Sequence, residues 1–262
     1  MDVAGGIYYN GAYVELKENE WSIRMPTKVP SVEVAIERRK VLTVTSYGYL
    51  AEERAYIDKV LNRYLGEVGM PRLMGNLGYC IHELAGNAHK ANLKRIYFQE
   101  KGLDITDSSD YELGMQWFKN DVLDRPEHFS ARQREKGLYV KFHFQVQDDV
   151  LKIVIRNNVQ LVPAEKEKIR AKFKLAKSAY NLADAYGAAE DYSEGAGLGI
   201  VMLNIMLRNM GFRERSFRIY VKNGETISFL SLDVGDLRSI HSPYVGESEM
   251  DVEPDTDEIP EN

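Results

Sequence analysis

The sequence predicts an α+β protein, a two-layer α/β sandwich in which helices cover one face of a mixed, mostly antiparallel sheet. Two observations lead to this fold class. Segments in which apolar and polar residues alternate come in pairs around short turns, as in β-hairpins. Between these pairs lie longer segments whose apolar residues recur with the period of a helix. Both kinds of segment recur along the chain.

The chain opens with strand-like patterns. Residues 6–25 alternate around the turn signal Asn10-Gly11, which predicts a hairpin. Residues 32–46 continue in an extended pattern. We therefore expect residues 1–48 to form an N-terminal β extension of the main domain.

Helical periodicity replaces the strand pattern from about Tyr49. A first helix is predicted to end near Gly69, and a second covers residues 72–94. Residues 100–137 are polar and lack a clean period, apart from a possible short helix around YELGMQWFKNDVL. They are predicted to form an excursion over the surface.

Two further hairpins are predicted in the second half of the chain. LYVKFHFQVQ and VLKIVIRN alternate with period two across Asp148-Asp149, and SFRIYVK and ETISFLSL do so around Asn223-Gly224. Between these hairpins, a basic helical stretch follows Pro163. A glycine-rich loop, GAGLG at residues 195–199, leads from there into a helix that stops near Gly211.

The charge of the chain is unevenly distributed. The net charge of −6 comes from residues 247–262, which hold eight acidic residues and neither lysine nor arginine. A composition so poor in apolar residues predicts a disordered tail, which we place at residues 241–262. The main domain is then expected over residues 49–240.

The composition also limits which cellular compartments and which binding partners are expected. The single cysteine, Cys80, excludes an intramolecular disulfide and suits a reducing cytoplasm. No secretory signal is visible, and the apolar run at residues 197–207 is shorter than the ~20 residues that cross a bilayer. No cluster of lysine and arginine with aromatic residues is present. We expect a cytoplasmic protein that binds neither membranes nor nucleic acid.

The stretch HELAGNAHKAN, residues 82–92, concentrates polar residues on one predicted helix. A zinc site would need histidines four residues apart, but the fourth residue after His82 is Gly86, and His89 lies seven residues on. A phosphate-accepting histidine is suggested by the triplet His-Glu-Leu, which in sensor histidine kinases continues with Arg-Thr-Pro, absent here. The third hypothesis is a helix face that binds a nucleotide.

Helical geometry favours the third hypothesis. At 100° per residue, Glu83, Asn87 and Lys90 lie within roughly 60° of one another, beside an apolar face that can pack. A carboxylate can activate a nucleophile, an amide oxygen can ligate Mg²⁺, and an ammonium group can contact phosphate. An ordinary charged helix face would show the same spacing, so this helix alone does not decide.

The glycine-rich loop supplies a second motif. Gly195, Gly197 and Gly199 precede a helix, where free backbone N–H groups and the helix dipole attract phosphate. Glycine also lets the backbone approach a ligand closely. The two motifs lie about a hundred residues apart, with a strand hairpin between them.

With both motifs, the sequence resembles the GHKL superfamily, the ATP-binding (Bergerat) fold shared by histidine kinases, gyrase, Hsp90 and MutL. Glu83-x-x-x-Asn87-x-x-Lys90 resembles its N box. Gly195-Ala196-Gly197-Leu198-Gly199 resembles its G2 box. The anti-sigma serine kinase type is the most similar, because a helix there leads directly into the E-x-x-x-N-A helix. The resemblance covers roughly residues 49–232.

One phrase of the family is altered. Its Asp-x-Gly-x-Gly phrase provides an aspartate for the adenine amino group, whereas this chain has Asn157, with Val159 and Leu161 in place of the glycines. The resemblance therefore implies an intact phosphate end and a changed adenine end.

The resemblance implies a regulatory protein that binds ATP or ADP with Mg²⁺ and phosphorylates a partner protein. In this hypothesis Glu83 is the catalytic base and Asn87 ligates the metal. The other nucleotide contacts would be Lys90, Asn157, Gly195, Gly197, Leu198 and Gly199. The alternative is a catalytically inactive interaction module that keeps the fold. The retained Glu83 favours the enzyme, and the altered adenine phrase favours the module.

Overall fold

The structure, a computed structural model, is a two-layer α/β sandwich, as predicted: helices pack on one face of a seven-stranded sheet in the part of the chain described. It describes residues 6–9, 12–15, 30–179, 181, 183–184 and 198–233. The predicted tail lies outside these residues, as do Gly195 and Gly197.

The strands lie in the order β2-β1-β3-β4-β5-β7-β6 across the sheet. Each strand pairing described is antiparallel, in agreement with the predicted mostly antiparallel sheet, and no parallel pairing occurs among these strands. The strands are β1 (Gly6–Tyr9), β2 (Ala12–Glu15), β3 (Leu42–Ser46), β4 (Val140–Gln147), β5 (Val150–Asn157), β6 (Phe217–Lys222) and β7 (Glu225–Asp233).

Seven helices can be labelled within the described residues. They are α1 (Pro30–Glu37), α2 (Ala51–Glu67), α3 (Met74–Lys101), α4 (Ser108–Asp124), α5 (Pro126–Glu135), α6 (Pro163–Ser178) and α7 (Leu198–Asn209). Among these helices, none is both long enough and apolar enough to span a membrane. The helix predicted over residues 72–94 is longer than expected, because α3 continues to Lys101.

Both predicted hairpins of the second half are confirmed. Strands β4 and β5 pair along their full length, with Phe142 opposite Ile155. The turn between them places Asp148 and Asp149 at positive φ (51° and 62°), a conformation that short polar residues tolerate. Strands β6 and β7 pair around Asn223-Gly224.

The extended pattern predicted for residues 32–46 is wrong over its first part. The segment forms helix α1 and only then the strand β3. Val32, Ala35 and Ile36 are buried at helical spacing in the main core, and Pro30 occupies the first helical position, which proline tolerates. Burial of this three-residue stripe outweighs the strand preference of the branched residues.

The main core lies between the sheet and the inner faces of α2, α3 and α7. Its fully buried side chains include Ile57, Leu61, Leu77, Phe142 and Phe144. The buried positions of α2 and α3 recur every three or four residues, which is the amphipathic pattern that predicted both helices.

The predicted surface excursion has its own hydrophobic core. Helices α4 and α5 pack against the C-terminal half of α3, and a second cluster of buried residues forms between them. Tyr97 contacts Phe118 edge-on, with ring centroids 5.4 Å apart. Gly114 lets α4 lie close against Phe98 of α3, because a methyl group at Gly114 would lie 2.8 Å from Cε1 of Phe98.

Candidate functional site

Helices α3 and α7 bring the two sequence motifs into contact. Gly199, in the first turn of α7, is buried against Glu83 of α3. A methyl group at Gly199 would overlap Cβ of Glu83 and lie 3.1 Å from its Cγ. The glycine is therefore required by the helix contact itself, and this contact joins residues far apart in the sequence.

The side chains of Glu83, Asn87 and Lys90 lie on one side of α3 and form a polar row. Glu83 and Asn87 are half-buried and Lys90 is exposed. Within the described residues, none of the three makes a side-chain hydrogen bond or an ion pair. Their polar groups are therefore available to a ligand.

The neighbouring His82 is held by two partners. Its Nε2 lies 2.7 Å from Oδ1 of Asp58, and its Nδ1 lies 2.5 Å from the hydroxyl of Tyr49. Because the carboxylate can only accept, Nε2 carries the proton, and Nδ1 accepts a hydrogen bond from Tyr49. His82 thus links α2, α3 and Tyr49, which lies two residues before α2.

His89 is buried in a second hydrogen-bonded network. Its Nδ1 accepts from Nε2 of Gln133 at 3.0 Å, and its Nε2 donates to Oγ of Ser46 at 3.2 Å. The ring of Tyr49 stacks on the imidazole, with centroids 5.1 Å apart. Burial lowers the pKa of His89 to about 4. Both histidines of the motif are therefore structural, and in the described chain no group of three or more possible metal-binding side chains is found.

Stability is expected to decrease as the pH falls from about 6.5 to about 4, because the unfolded chain then binds a proton at His89 that the folded chain does not. Above pH 6.5 both states are neutral, so this contribution is complete there. The loss at acid pH is about 3 kcal/mol for this residue. Urea unfolding across this range measures it. His89→Gln should reduce the dependence on pH and leave the part that comes from His143, whose pKa burial also lowers to about 4. A profile equal to that of the wild type would contradict the assignment.

At the adenine end of the predicted site, the side chain of Asn157 is directed towards α3. Its Nδ2 donates to Oδ1 of Asn92 at 3.1 Å, and Asn92 in turn donates to the carbonyl of Tyr139 at 3.1 Å. Both asparagines are buried. The side chain of Asn157 therefore already has a partner inside the protein.

The segment that follows Asn157, residues 158–162, is fixed by hydrogen bonds to its carbonyl groups, and its apolar side chains pack into the protein. Oγ1 of Thr226 donates to the carbonyl of Val159 at 2.7 Å, and Arg95 donates to the carbonyl of Gln160. Val159 is buried, and Leu161 packs against the main core. Apolar side chains thus occupy the positions where the resembling family has glycines.

A buried ion pair ties this segment to α3. The guanidinium of Arg95 donates to both carboxylate oxygens of Glu165, at 2.9 and 2.8 Å, and Nζ of Lys94 lies 3.7 Å from the same group. Glu165 also accepts from the backbone N–H of Val162. Burial acts to raise the pKa of Glu165, but the hydrogen bonds and charge of Arg95, with the charge of Lys94, lower it below its usual value. Glu165 is therefore a fixed anion beneath the segment.

Of the predicted site residues, the structure brings together Glu83 and Gly199. Leu198 begins α7, while Gly195 and Gly197 lie outside the described residues. The sequence reasoning missed the residues that hold the surroundings: Tyr49, Asp58, Asn92, Arg95 and Glu165. One signal was available, because Glu165 lies three residues after Val162 at a helix start, as in a capping box.

The chain is similar to an uncharacterised protein of Treponema pallidum (strain Nichols), with 40% identity over 197 residues. The match covers 75% of this chain, and the chain spans 38% of the length of that protein. No protein-family model matches the sequence. No solved structure matches it either.

Proposed function

We propose that the chain is a GHKL-type regulatory protein that binds ATP or ADP with Mg²⁺ between α3 and the start of α7. The observation that carries the proposal is the contact between Glu83 and Gly199 beside the polar row of α3, which has no side-chain partner among the described residues. It places the carboxylate of Glu83 beside the N-terminus of a helix, with the amide of Asn87 and the ammonium group of Lys90 on the same side of α3. Such a terminus favours phosphate.

The donor set fits a hard cation and a phosphate. The amide oxygen of Asn87 suits Mg²⁺, which prefers oxygen ligands, and Lys90 offers its ammonium group to a phosphate. The backbone N–H groups at Leu198 and Gly199 belong to the first turn of α7, where they lack partners within the helix. Magnesium, when bound, would neutralise phosphate charge.

Glu83 is the group that would act in chemistry. It is half-buried at the contact of α3 with α7, and within the described residues it pairs with no cation. A carboxylate in this state can accept a proton from a hydroxyl group. Phosphorylation of a hydroxyl-bearing residue on a regulatory partner protein would use Glu83 in this way.

Asn87→Ala is expected to weaken Mg-ATP binding by about tenfold or more and to remove its dependence on Mg²⁺, because the metal loses an oxygen ligand. Glu83→Ala should retain binding and abolish phosphoryl transfer. Isothermal calorimetry with ATP, ADP and GTP, each with and without Mg²⁺, measures binding. Asn76→Ala is the matched control, since Asn76 is exposed on the same helix.

Unchanged Mg-ATP affinity in Asn87→Ala would remove this residue from the site. Binding that is tight in wild type and selective for adenine would also count against the proposed geometry, because the adenine end is filled by apolar side chains. We therefore expect the phosphates and the metal to provide most of the affinity.

A second candidate function is a non-catalytic interaction module. The observation that favours it is the state of the adenine end, where Asn157 is paired with Asn92 and Val159 is buried. The calorimetry above separates the two functions. Absence of heat with every nucleotide, in a protein that unfolds cooperatively, would support the module.

A further inference from the structure

The outer face of α4 carries three large apolar side chains that are exposed to solvent. Leu113, Trp117 and Leu123 expose 50%, 59% and 66% of their surface. At 100° per residue they lie within about 120° of one another around the helix. We call these three residues the α4 stripe. Leu113 and Trp117 lie one turn apart on this face, and an exposed tryptophan within an apolar patch marks a candidate protein-binding surface.

The opposite face of α4 is firmly packed. Tyr111, Gly114 and Phe118 are buried in the second hydrophobic cluster, and Gly114 lies directly on the ring of Phe98. The helix cannot rotate to bury the stripe without exposing Tyr111 and Phe118. The stripe is therefore a fixed feature, and a partner would meet a surface already in its binding conformation.

The charges around the stripe are mainly negative. Helix α4 carries four carboxylates and a single cation, Lys119. Asp124 lies on the same face as Leu113 and Trp117, and Glu112 borders it; both are exposed. A partner that buries the stripe must approach these carboxylates closely, so complementary positive charge would favour it.

A second copy of the chain is a poor occupant. A symmetric antiparallel pairing of this face centred near residue 118 places its apolar residues together, but it also brings Asp124 of one copy against Glu112 of the other. Like charges brought together at an interface oppose association. The charge pattern thus points to a different protein.

We propose that the α4 stripe docks an amphipathic helix of a partner protein, whose apolar face is bordered by lysine or arginine. The partner's apolar side chains would cover Trp117 and the two leucines, and its cations would meet Asp124 and Glu112. In contacts of this kind, the bound helix inserts apolar side chains that lie about one helical turn apart in its own sequence. This surface is formed by α4, away from the contact of α3 with α7.

The test uses the full chain with Trp21→Phe, so that Trp117 is the sole tryptophan. The probes are a synthetic amphipathic helix of leucine and lysine and the same peptide with glutamate in place of lysine. The lysine peptide should shift the Trp117 emission to the blue and bind about tenfold or more tightly than the glutamate peptide. For the alanine variants, peptide binding is measured by calorimetry in the chain that keeps Trp21, because Trp117→Ala removes the fluorescent side chain.

Trp117→Ala and Leu113→Ala should each weaken the lysine peptide by about tenfold, while Val41→Ala, another exposed apolar position, should not. Equal binding to wild type and Trp117→Ala would overturn the proposal, as would equal binding of the two peptides. A dimer in sedimentation velocity that is lost in Trp117→Ala would assign the stripe to a second copy instead. Thermal unfolding confirms that each variant is folded.

Discussion

Gly199→Ala is expected to reduce Mg-nucleotide binding by about tenfold or more and to destabilise the fold by about 1–3 kcal/mol. The added methyl group would overlap Cβ of Glu83 and lie 3.8 Å from its Cα. Both atoms are fixed by the backbone of α3, so the clash cannot be relieved by a rotamer change. The two helices must move apart, which separates the polar row from the start of α7.

Thermal unfolding and calorimetry on the same preparation measure both effects. Gly66→Ala is the matched control, because Gly66 is an exposed helical glycine in α2 with no neighbour within 4 Å of the added methyl group. It should be neutral or stabilise by up to about 1 kcal/mol. If Gly199→Ala behaved like Gly66→Ala, the close contact of α3 with α7 would be refuted.

Arg95→Met is expected to cost about 3–5 kcal/mol of folding free energy, because it leaves the carboxylate of Glu165 buried without its main counter-charge. The side chains of Arg95 and Glu165 are 17% and 9% exposed. The variant also loses the hydrogen bond to the carbonyl of Gln160, so the segment after Asn157 loses an anchor. Urea unfolding at neutral pH measures the change.

The chain provides a surface arginine for comparison. Two nitrogens of Arg63 also donate to the carboxylate of Glu33, but the side chains of both residues are more than one third exposed. Arg63→Met should therefore cost less than about 1 kcal/mol. Addition of Glu165→Gln to Arg95→Met should recover part of the loss. Similar losses at Arg63 and Arg95 would show that burial does not set the strength of this pair.

The elements that could be predicted are those whose pattern is complete within a short stretch. Strands β4 and β5 alternate on both sides of a turn, and the turn residues Asp148 and Asp149 adopt the conformation that such a turn requires. Local information was sufficient there, because each strand buries one face against the same core.

Of the two helices of the excursion, α4 was predicted only as a possible short helix around YELGMQWFKNDVL, and α5 was not predicted. Tyr111 and Phe118 mark one face of α4, but Gly114 between them shows no apolar signal, and its role depends on Phe98 of another helix. Such a stripe is recognised only when its partner surface is known. The excursion was therefore expected to be largely irregular.

In the candidate site too, features that depend on a local pattern could be predicted, whereas contacts between distant residues could not. The polar row of α3 follows from helical spacing alone, and the nearness of α7 was expected from the resemblance. The pairing of Arg95 with Glu165 joins two distant parts of the chain, and the Asn157–Asn92 bond does the same. Neither contact leaves a local pattern, so sequence reasoning assigned Asn157 to the ligand rather than to α3.

The antiparallel pairing of β5 with β7 has a consequence for how the chain can diverge. Eight residue pairs join these strands, from Val150 with Asp233 to Asn157 with Thr226. The chain between Asn157 and Thr226, which includes α6, α7 and β6, thus leaves and re-enters the sheet at one position. Loop-closure entropy grows slowly, by only about 0.6 kcal/mol for each doubling of length. Insertions between these elements would therefore cost the fold little as long as α6, α7 and β6 keep their packing, and the sheet register would stay fixed.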